Sequence, residues 1–254
     1  MQELFEDERL CEVNDHISLI SKEDGLTFGT DAFLLAAFVK ARPRGVAVEL
    51  GAGTGIISLL LAGRNRFRTI HAVEVQKDFA HLAQRNARLN HMEDRVFVHH
   101  GDLRELRAED LGGEAEVVFA NPPYMRTYTG KRNESDRKYI ARHEVFGGIE
   151  DFCRSASRLL KHGGDFYCVY RPDRLSDLME SLRSNRLEPK IMVFVHADGA
   201  SEPSSVLISA KKGGASGMRI LPPLLLHDGE KTDKSRPLSR RAGKIYEMLS
   251  FEEE

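Results

Sequence analysis

The stretch GVAVELGAGTGIISLLLAGR, residues 45–64, joins three kinds of sequence without a spacer. GVAVEL is a short, valine-rich apolar run, with the length and composition of a strand buried on both faces. Gly51, Gly53 and Gly55 follow at every second position, and glycine admits the left-handed backbone that a sharp turn needs. IISLLLAGR then reads as an apolar helix. A strand, a glycine turn and a helix in immediate succession make the first half of a β-α-β unit, and that reading sets the fold class.

The rest of the chain repeats the alternation. TIHAVEV (69–75), DRVFVHHGD (94–102), AEVVFANPP (115–123), GDFYCVYR (164–171), PKIMVFVHA (189–197) and SVLISAKK (205–212) read as strands. QKDFAHLAQRNARLNH (76–91) places Phe79, Leu82, Ala83, Ala87 and Leu89 at near-helical spacing. IEDFCRSASRLLK (149–161) is a helix expected to stop at Gly163-Gly164 with a left-handed cap. PDRLSDLMESLRSNR (172–186) is a helix opened by Pro172. Strands alternating with helices imply parallel units with right-handed crossovers. The expected fold is therefore α/β, a doubly wound, seven-stranded, mostly parallel sheet over residues 46–212. Residues 1–45 form an N-terminal extension on that core. It holds a hairpin in HISLISKEDGLTF (16–28), turning at Asp24-Gly25, and a helix opening at Thr30-Asp31. Residues 213–254 form a basic, partly irregular tail.

Hydrophobic residues make up 41% and charged residues 30% of the 254, an ordinary soluble globular profile. No apolar run approaches the roughly 18 residues that span a bilayer. MQELFEDERLCEV at the N-terminus lacks the apolar core of a secretory signal, so a cytoplasmic location and no membrane partner are expected. The three cysteines, Cys11, Cys153 and Cys168, are far apart and form no C-x-x-C, which speaks against a disulfide framework and a zinc site. The adjacent His99-His100 has no metal-ligand spacing around it, and no metal is expected. The net charge of −2 is unlike that of a typical, strongly basic nucleic-acid binder. The charge is unevenly spread, however. Arg126, Lys131, Arg132, Arg137, Lys138 and Arg142 gather in one segment, and Lys231, Lys234, Arg236, Arg240, Arg241 and Lys244 in the tail. Either cluster is a solvated face or a grip on phosphates. The first directly follows Asn121–Tyr124, which favours the second reading for it.

Three successive strands carry a distinctive group to one sheet edge. The glycine turn follows the first. Glu74 ends the second, roughly 20 residues on, where an acid can bond ribose hydroxyls. Asp102 ends the third. Ligands of open α/β sheets bind at the carboxyl ends of strands. A dinucleotide fingerprint, G-x-G-x-x-G/A, fails at Ile56. The actual spacing, Glu49-x-Gly51-x-Gly53-x-Gly55, resembles the first motif of class I S-adenosylmethionine-dependent methyltransferases, a Rossmann-like family. That resemblance implies S-adenosylmethionine as cofactor, with Glu49 helping to anchor its methionine part, Glu74 holding the ribose and Asp102 facing the adenine.

AEVVFA ends in Asn121-Pro122-Pro123-Tyr124, and two prolines cannot continue a strand, because they lack amide donors and fix φ. Amine chemistry supplies a use for the tetrapeptide. The nitrogen of a planar amine delocalises its lone pair and becomes positive as it reacts. Acceptors already aimed at its N–H bonds stabilise that charge. The Asn121 side-chain oxygen can accept one hydrogen, and the Pro122 carbonyl, pre-aimed in a turn stiffened by Pro123, the other. Tyr124 offers a ring for stacking, worth about 1–3 kcal/mol per base in nucleic-acid systems. The stretch resembles the N-P-P-Y motif of amino-group methyltransferases. The resemblance makes these four residues the catalytic group, with Asn121 also beside the cofactor.

N-P-P-Y is shared by adenine-N6 methyltransferases of nucleic acids and glutamine-N5 methyltransferases of release factors. LTFGTDAFLLAAF (26–38), ELGAGTGIISLLLA, VEVQKDFAHLAQRNARLN, ANPPY, ARHE (141–144), YRPDRLSDLM and LEPK occur here in this order. Together they resemble the bacterial tRNA (adenine-N6)-methyltransferase family that modifies the adenine just 3′ of the anticodon, position 37, in valine tRNA. The resemblance covers roughly residues 17–232. It implies a tRNA partner and places Thr30 and Asp31 near the methionine end of the cofactor. Arg142, His143 and Glu144 match the ARHE stretch, either as substrate contacts or as a loop-to-helix junction. Anticodon-loop bases are unstacked and enter a pocket without breaking a duplex. A glutamine methyltransferase would be expected to carry a helical domain before the first strand, for which residues 1–45 leave no room. A DNA adenine methyltransferase would carry a target-recognition insertion, and none is evident. Ribosomal-RNA guanine-N2 methyltransferases usually have phenylalanine where Tyr124 stands. A cofactor-binding protein without catalysis would not need Asn121–Tyr124 intact.

Overall fold

The computed structural model describes residues 4–22, 29–123, 147–229 and 237–251. The chain opens with an antiparallel hairpin of β1 (Glu8–Asn14) and β2 (Ile17–Lys22), in register at Cys11 and Leu19. The expected strand around residues 17–22 thus pairs backwards, with the segment before it. The connection is at Asp15-His16, where Asn14 Oδ1 accepts the His16 N–H at 2.9 Å in a local side-chain turn. Asp24-Gly25 lies outside the described residues.

Helix α1 (Thr30–Phe38) leads into β3 (Arg42–Leu50), and α2 (Ile56–Gly63), β4 (Phe67–Glu74), α3 (Lys77–Leu89), β5 (Val96–His100) and β6 (Ala115–Ala120) follow. Beyond residue 146 come α4 (Ile149–Leu159), β7 (Leu160–Tyr170), α5 (Leu175–Ser184), β8 (Leu187–His196) and β9 (Pro203–Lys212). Pro172 opens a short 3-10 turn, Pro172–Arg174, that runs into α5. Two short strands, β10 (Arg219–Ile220) and β11 (Leu224–Leu225), and helix α6 (Arg240–Met248) complete the chain.

The sheet order is β10-β8-β9-β7-β6-β3-β4-β5, with β11 also on β8. Strands β7, β6, β3, β4 and β5 are parallel, and β9 is antiparallel to both its neighbours. The seven expected strands are all present. The two extra ones are two-residue segments running parallel along the edge of β8, too short to carry a strand pattern in sequence. Helix α4 ends at Leu159, earlier than Gly163-Gly164. Gly163 does take a left-handed φ of +76°, but inside β7, where the register with β6 slips between Leu160 and Asp165.

Side chains alternate across the sheet as strand geometry requires. Ala47, Ile70, Ala72, Val117 and Phe119 face one core with α1, α2 and α6. Val48, Leu50, Val73, Val118 and Ala120 face the other with α4 and α5. Every residue of α2 from Ile56 to Ala62 is buried, so the helix that starts at the glycine turn has no solvent face to loosen it. The described end of the tail packs on the same core. Ala242 and Ile245 are buried, the Phe251 ring meets Phe38 at 5.4 Å, and Ser239 caps α6 by accepting the Ala242 N–H at 3.1 Å. Among the described residues no helix is long and apolar enough to cross a membrane.

Candidate active site

Strand β3 hydrogen-bonds to β4 on one side and to β6 on the other, and such a switch point opens a crevice at the carboxyl ends. Leu50 is in register with Val73 of β4 and with Ala120 of β6. Gly51 and Asn121 therefore leave the sheet from neighbouring strand ends. Glu74 is in register with His100, which puts the Glu74 and Gly101-Asp102 exits along the same edge.

The turn after β3 is built from left-handed residues, with φ of +72° at Gly51, +54° at Gly53 and +83° at Gly55. The Val73 carbonyl accepts the N–H groups of Gly51 and Ala52 at 2.9 and 3.0 Å. Glu74 Oε2 accepts the Gly53 N–H at 2.8 Å, and Oε1 accepts the Gln76 N–H at 2.8 Å. A Cβ built on Gly53 would meet nothing within 4 Å, so this is the open side of the turn. A Cβ on Gly55 would lie 3.3 Å from that of Ala83, because there α2 starts against α3.

Glu49 lies beneath the turn. It is 1% exposed, and its Oε2 accepts the Ser58 backbone N–H at 3.0 Å and the Ser58 hydroxyl. Burial pushes its pKa up to about 8. Asp102, past the end of β5, accepts from its own loop: the Arg104 backbone N–H at 2.9 Å and the guanidinium Nε and Nη2 at 3.0 and 2.5 Å. Those side-chain hydrogen bonds hold its carboxyl below the usual range. The loop is tied to α4, where the Ser155 hydroxyl and Arg158 Nη2 donate to the Leu103 carbonyl at 2.8 and 2.7 Å. Thr30 and Asp31 open α1, where Tyr246 of α6 hydrogen-bonds to Thr30 and its ring lies 5.4 Å from that of Phe33.

Asn121 is half-buried and Pro122 buried at the tip of β6. Tyr124, the cluster Arg126, Lys131, Arg132, Arg137, Lys138 and Arg142, and His143-Glu144 lie outside the described residues. The histidine pair ending β5 divides: His99 Nε2 lies 2.9 Å from His71 Nδ1, and His100 meets the Val75 carbonyl. Sequence reading found the acids but missed their partners Ser58, Arg104, Ser155 and Arg158. It also missed Asn86 on α3, which donates to the Thr54 carbonyl inside the turn at 3.0 Å. Asn86 inside a helix was a usable signal, since asparagine is a poor helix former unless its side chain bonds elsewhere.

The profile of the methyltransferase small domain family matches residues 20–186, a span from β2 to the end of α5 that includes the whole edge just described. The chain belongs to the methyltransferase small domain family. Among curated relatives of this family member is the tRNA1(Val) (adenine(37)-N6)-methyltransferase of Phocaeicola vulgatus, 30% identical over 183 residues, 72% of this chain and 76% of the relative. The protein of the same name from Porphyromonas gingivalis is 30% identical over 186 residues, 70% of this chain and 72% of the relative. Among solved structures, a protein from Agrobacterium tumefaciens described as a predicted O-methyltransferase superposes with a TM-score of 0.69 at 22% identity, covering 87% of this chain and 97% of that one. M. jannaschii TYW2, solved in complex with AdoMet, superposes with a TM-score of 0.55 at 15% identity, covering 83% of this chain and 88% of that one. Both likenesses support the Rossmann-like class I methyltransferase fold.

Proposed function

We propose that this protein transfers a methyl group from S-adenosylmethionine to N6 of an adenine in tRNA, the adenine 3′ of the anticodon (position 37) of valine tRNA. The observation that carries the reading is the register of Leu50 with Ala120, which sets the glycine turn and the Asn121-Pro122 tip side by side at the switch point. The names of the relatives give the same reaction and the same nucleotide.

The residues present fit the cofactor. The Gly53 face is open to a ligand that a side chain would displace. Glu74 spends one lone pair of each oxygen on a backbone N–H, at Gly53 and Gln76, which leaves acceptor capacity for ribose hydroxyls. Asp102, held ionised by Arg104, is an acceptor at the adenine end. Glu49 acts from below the turn, by fixing Ser58 and the start of α2, and Thr30 and Asp31 close the methionine end. When bound, the cofactor supplies the electrophilic methyl group.

The rest is positioning. Asn121 Oδ1 and the Pro122 carbonyl accept the two N–H bonds of the adenine amine and stabilise the charge that develops on its nitrogen. Pro123 stiffens that tip and Tyr124 stacks on the base. The amine can lose its proton after transfer, so no strong base is needed. Arg126, Lys131, Arg132, Arg137, Lys138 and Arg142 grip the phosphates of the anticodon arm. We place the reaction in the cytoplasm, where its tRNA is found.

The test is methyl transfer from labelled S-adenosylmethionine to bulk tRNA, ribosomal RNA, DNA and a release factor, followed by nucleoside mass spectrometry. The expected product is N6-methyladenosine in tRNA. Label in the release factor or ribosomal RNA instead would overturn the substrate and keep the cofactor.

A further inference from the structure

We propose that Asn86 is a positioning residue for cofactor binding, which ties the N-terminal hairpin to the glycine turn and fixes the plane of the Thr54–Gly55 peptide. The proposal rests on the reading of that turn as the cofactor site.

Asn86 is fully buried in the last turn of α3. Its side-chain amide is engaged on every side that matters here. Oδ1 accepts the Ile20 N–H at 2.7 Å, and Nδ2 donates to the Ile20 carbonyl and to the Thr54 carbonyl, both at 3.0 Å. One turn later, Asn90 treats Ser18 in the same way, with Oδ1 accepting its N–H at 3.0 Å and Nδ2 donating to its carbonyl at 2.8 Å. One side chain in the last turn of α3 and one at its C-cap thus pair with alternate residues of β2 as a neighbouring strand would. Of the two, Asn86 is the one bonded to the turn.

That third bond has a specific mechanical effect. The Thr54 carbonyl and the Gly55 N–H belong to one peptide plane. The N–H donates to the Ala52 carbonyl at 2.8 Å, and the carbonyl accepts from Asn86. With glycine on both sides of Thr54, rotation of this peptide is opposed by little else. The plane lies next to Gly53, whose open face receives the ligand. The hairpin keeps other anchors when Asn86 is lost. Arg85 pairs with Glu8 at 2.6 Å and lies over the Phe5 ring at 4.6 Å, and Asn90 still holds Ser18. Removal of the Asn86 amide therefore frees the turn without undocking the hairpin.

The experiment compares Asn86→Ala with Asn90→Ala in the full chain. Both lose hydrogen bonds to β2, buried ones for Asn86 and partly buried ones for Asn90, so both should melt earlier than the wild type. S-adenosylmethionine affinity, read by calorimetry, should weaken about tenfold or more in Asn86→Ala, the effect of one lost buried hydrogen bond, and stay within about twofold in Asn90→Ala. Equal affinities in the two variants would reduce Asn86 to a structural residue and overturn the proposal. Should Asn86→Ala fail to fold, hydrogen exchange on the wild type decides. Coupling is reciprocal, so added cofactor should slow exchange of the Ile20 amide in the hairpin as well as that of Gly55. Protection gained at Gly55 with none at Ile20 would overturn it. A wild-type chain that bound no S-adenosylmethionine would remove the cofactor reading itself, an outcome distinct from the other two.

Discussion

Glu49→Gln isolates the charge beneath the glycine turn. A glutamate with an ordinary pKa of 4.5 that folding raises to about 8 binds a proton more tightly in the folded state than in the unfolded chain. Between those two values the folded protein carries a proton that the unfolded chain has released. Stability must then fall as pH rises across that window, and level off above it. The gap corresponds to about 4–5 kcal/mol. Glutamine has the shape of the neutral acid, and its carbonyl can accept from the Ser58 N–H and hydroxyl as Glu49 does. The variant lacks the titration. Near pH 5 the two proteins should unfold at similar urea concentrations. By pH 9 the glutamine form should be the more stable, with a midpoint higher by roughly 2 M for a slope of about 2 kcal/mol per molar. A midpoint difference that stays constant from pH 5 to 9 would refute the reasoning. It would mean that Glu49 is an ordinary ionised carboxylate under the turn and can meet a positive group on the cofactor as a charge. The predicted result makes its contribution at neutral pH one of position.

Gly53→Asp should abolish S-adenosylmethionine binding in calorimetry while costing the fold only about 1–2 kcal/mol of left-handed strain, since its Cβ faces open space; unchanged affinity would sink the assignment of the turn. Asn121→Ala should keep cofactor affinity and lose about a hundredfold or more in kcat, the usual effect of removing one group that stabilises developing charge. Wild-type turnover in that variant would reject its role at the amine. Replacing Lys131 and Arg132 with Glu should weaken tRNA binding and flatten its logarithmic salt dependence by about 1–2, with cofactor affinity unchanged. Unaltered RNA binding would return that cluster to a solvated face.

The parallel core was legible because buried strands are read from apolar runs alone, and the glycines at 51, 53 and 55 mark the first crossover without ambiguity. The edges were not. Strands β10 and β11 are two residues each and depend on the open side of β8, which no local pattern announces. The end of α4 was misplaced because Gly163 does adopt the left-handed conformation of a helix cap, in the service of a bulge in β7. At the site, the acids were legible from where they fall at strand ends. What each acid holds was not, because the partners come from other elements: Ser58 from α2 for Glu49, and the Gly53 amide for Glu74. Arg104 could have been found, two residues after Asp102 in the same loop.

The buried polar residues show where the fold concentrates its design. Glu49, Thr54, Ser58, Glu74 and Asn86 are buried polar groups that meet at one short turn, and Ser155 is another, tied to the loop after Asp102. Buried polar groups stabilise little in net terms and cost much if left unpaired, so a cluster of them is poor economy for folding alone. A turn with three glycines in five residues has the opposite defect, because free backbone must be ordered at about 1–2 kcal/mol per residue before it can bind anything. The network resolves both. Val73 fixes the amides at its start, Glu74 the amide of Gly53, Asn86 the carbonyl of Thr54, and Glu49 the first turn of α2. The turn is ordered on folding, so a ligand arriving at the Gly53 face meets a backbone already in place and loses less affinity to arranging it.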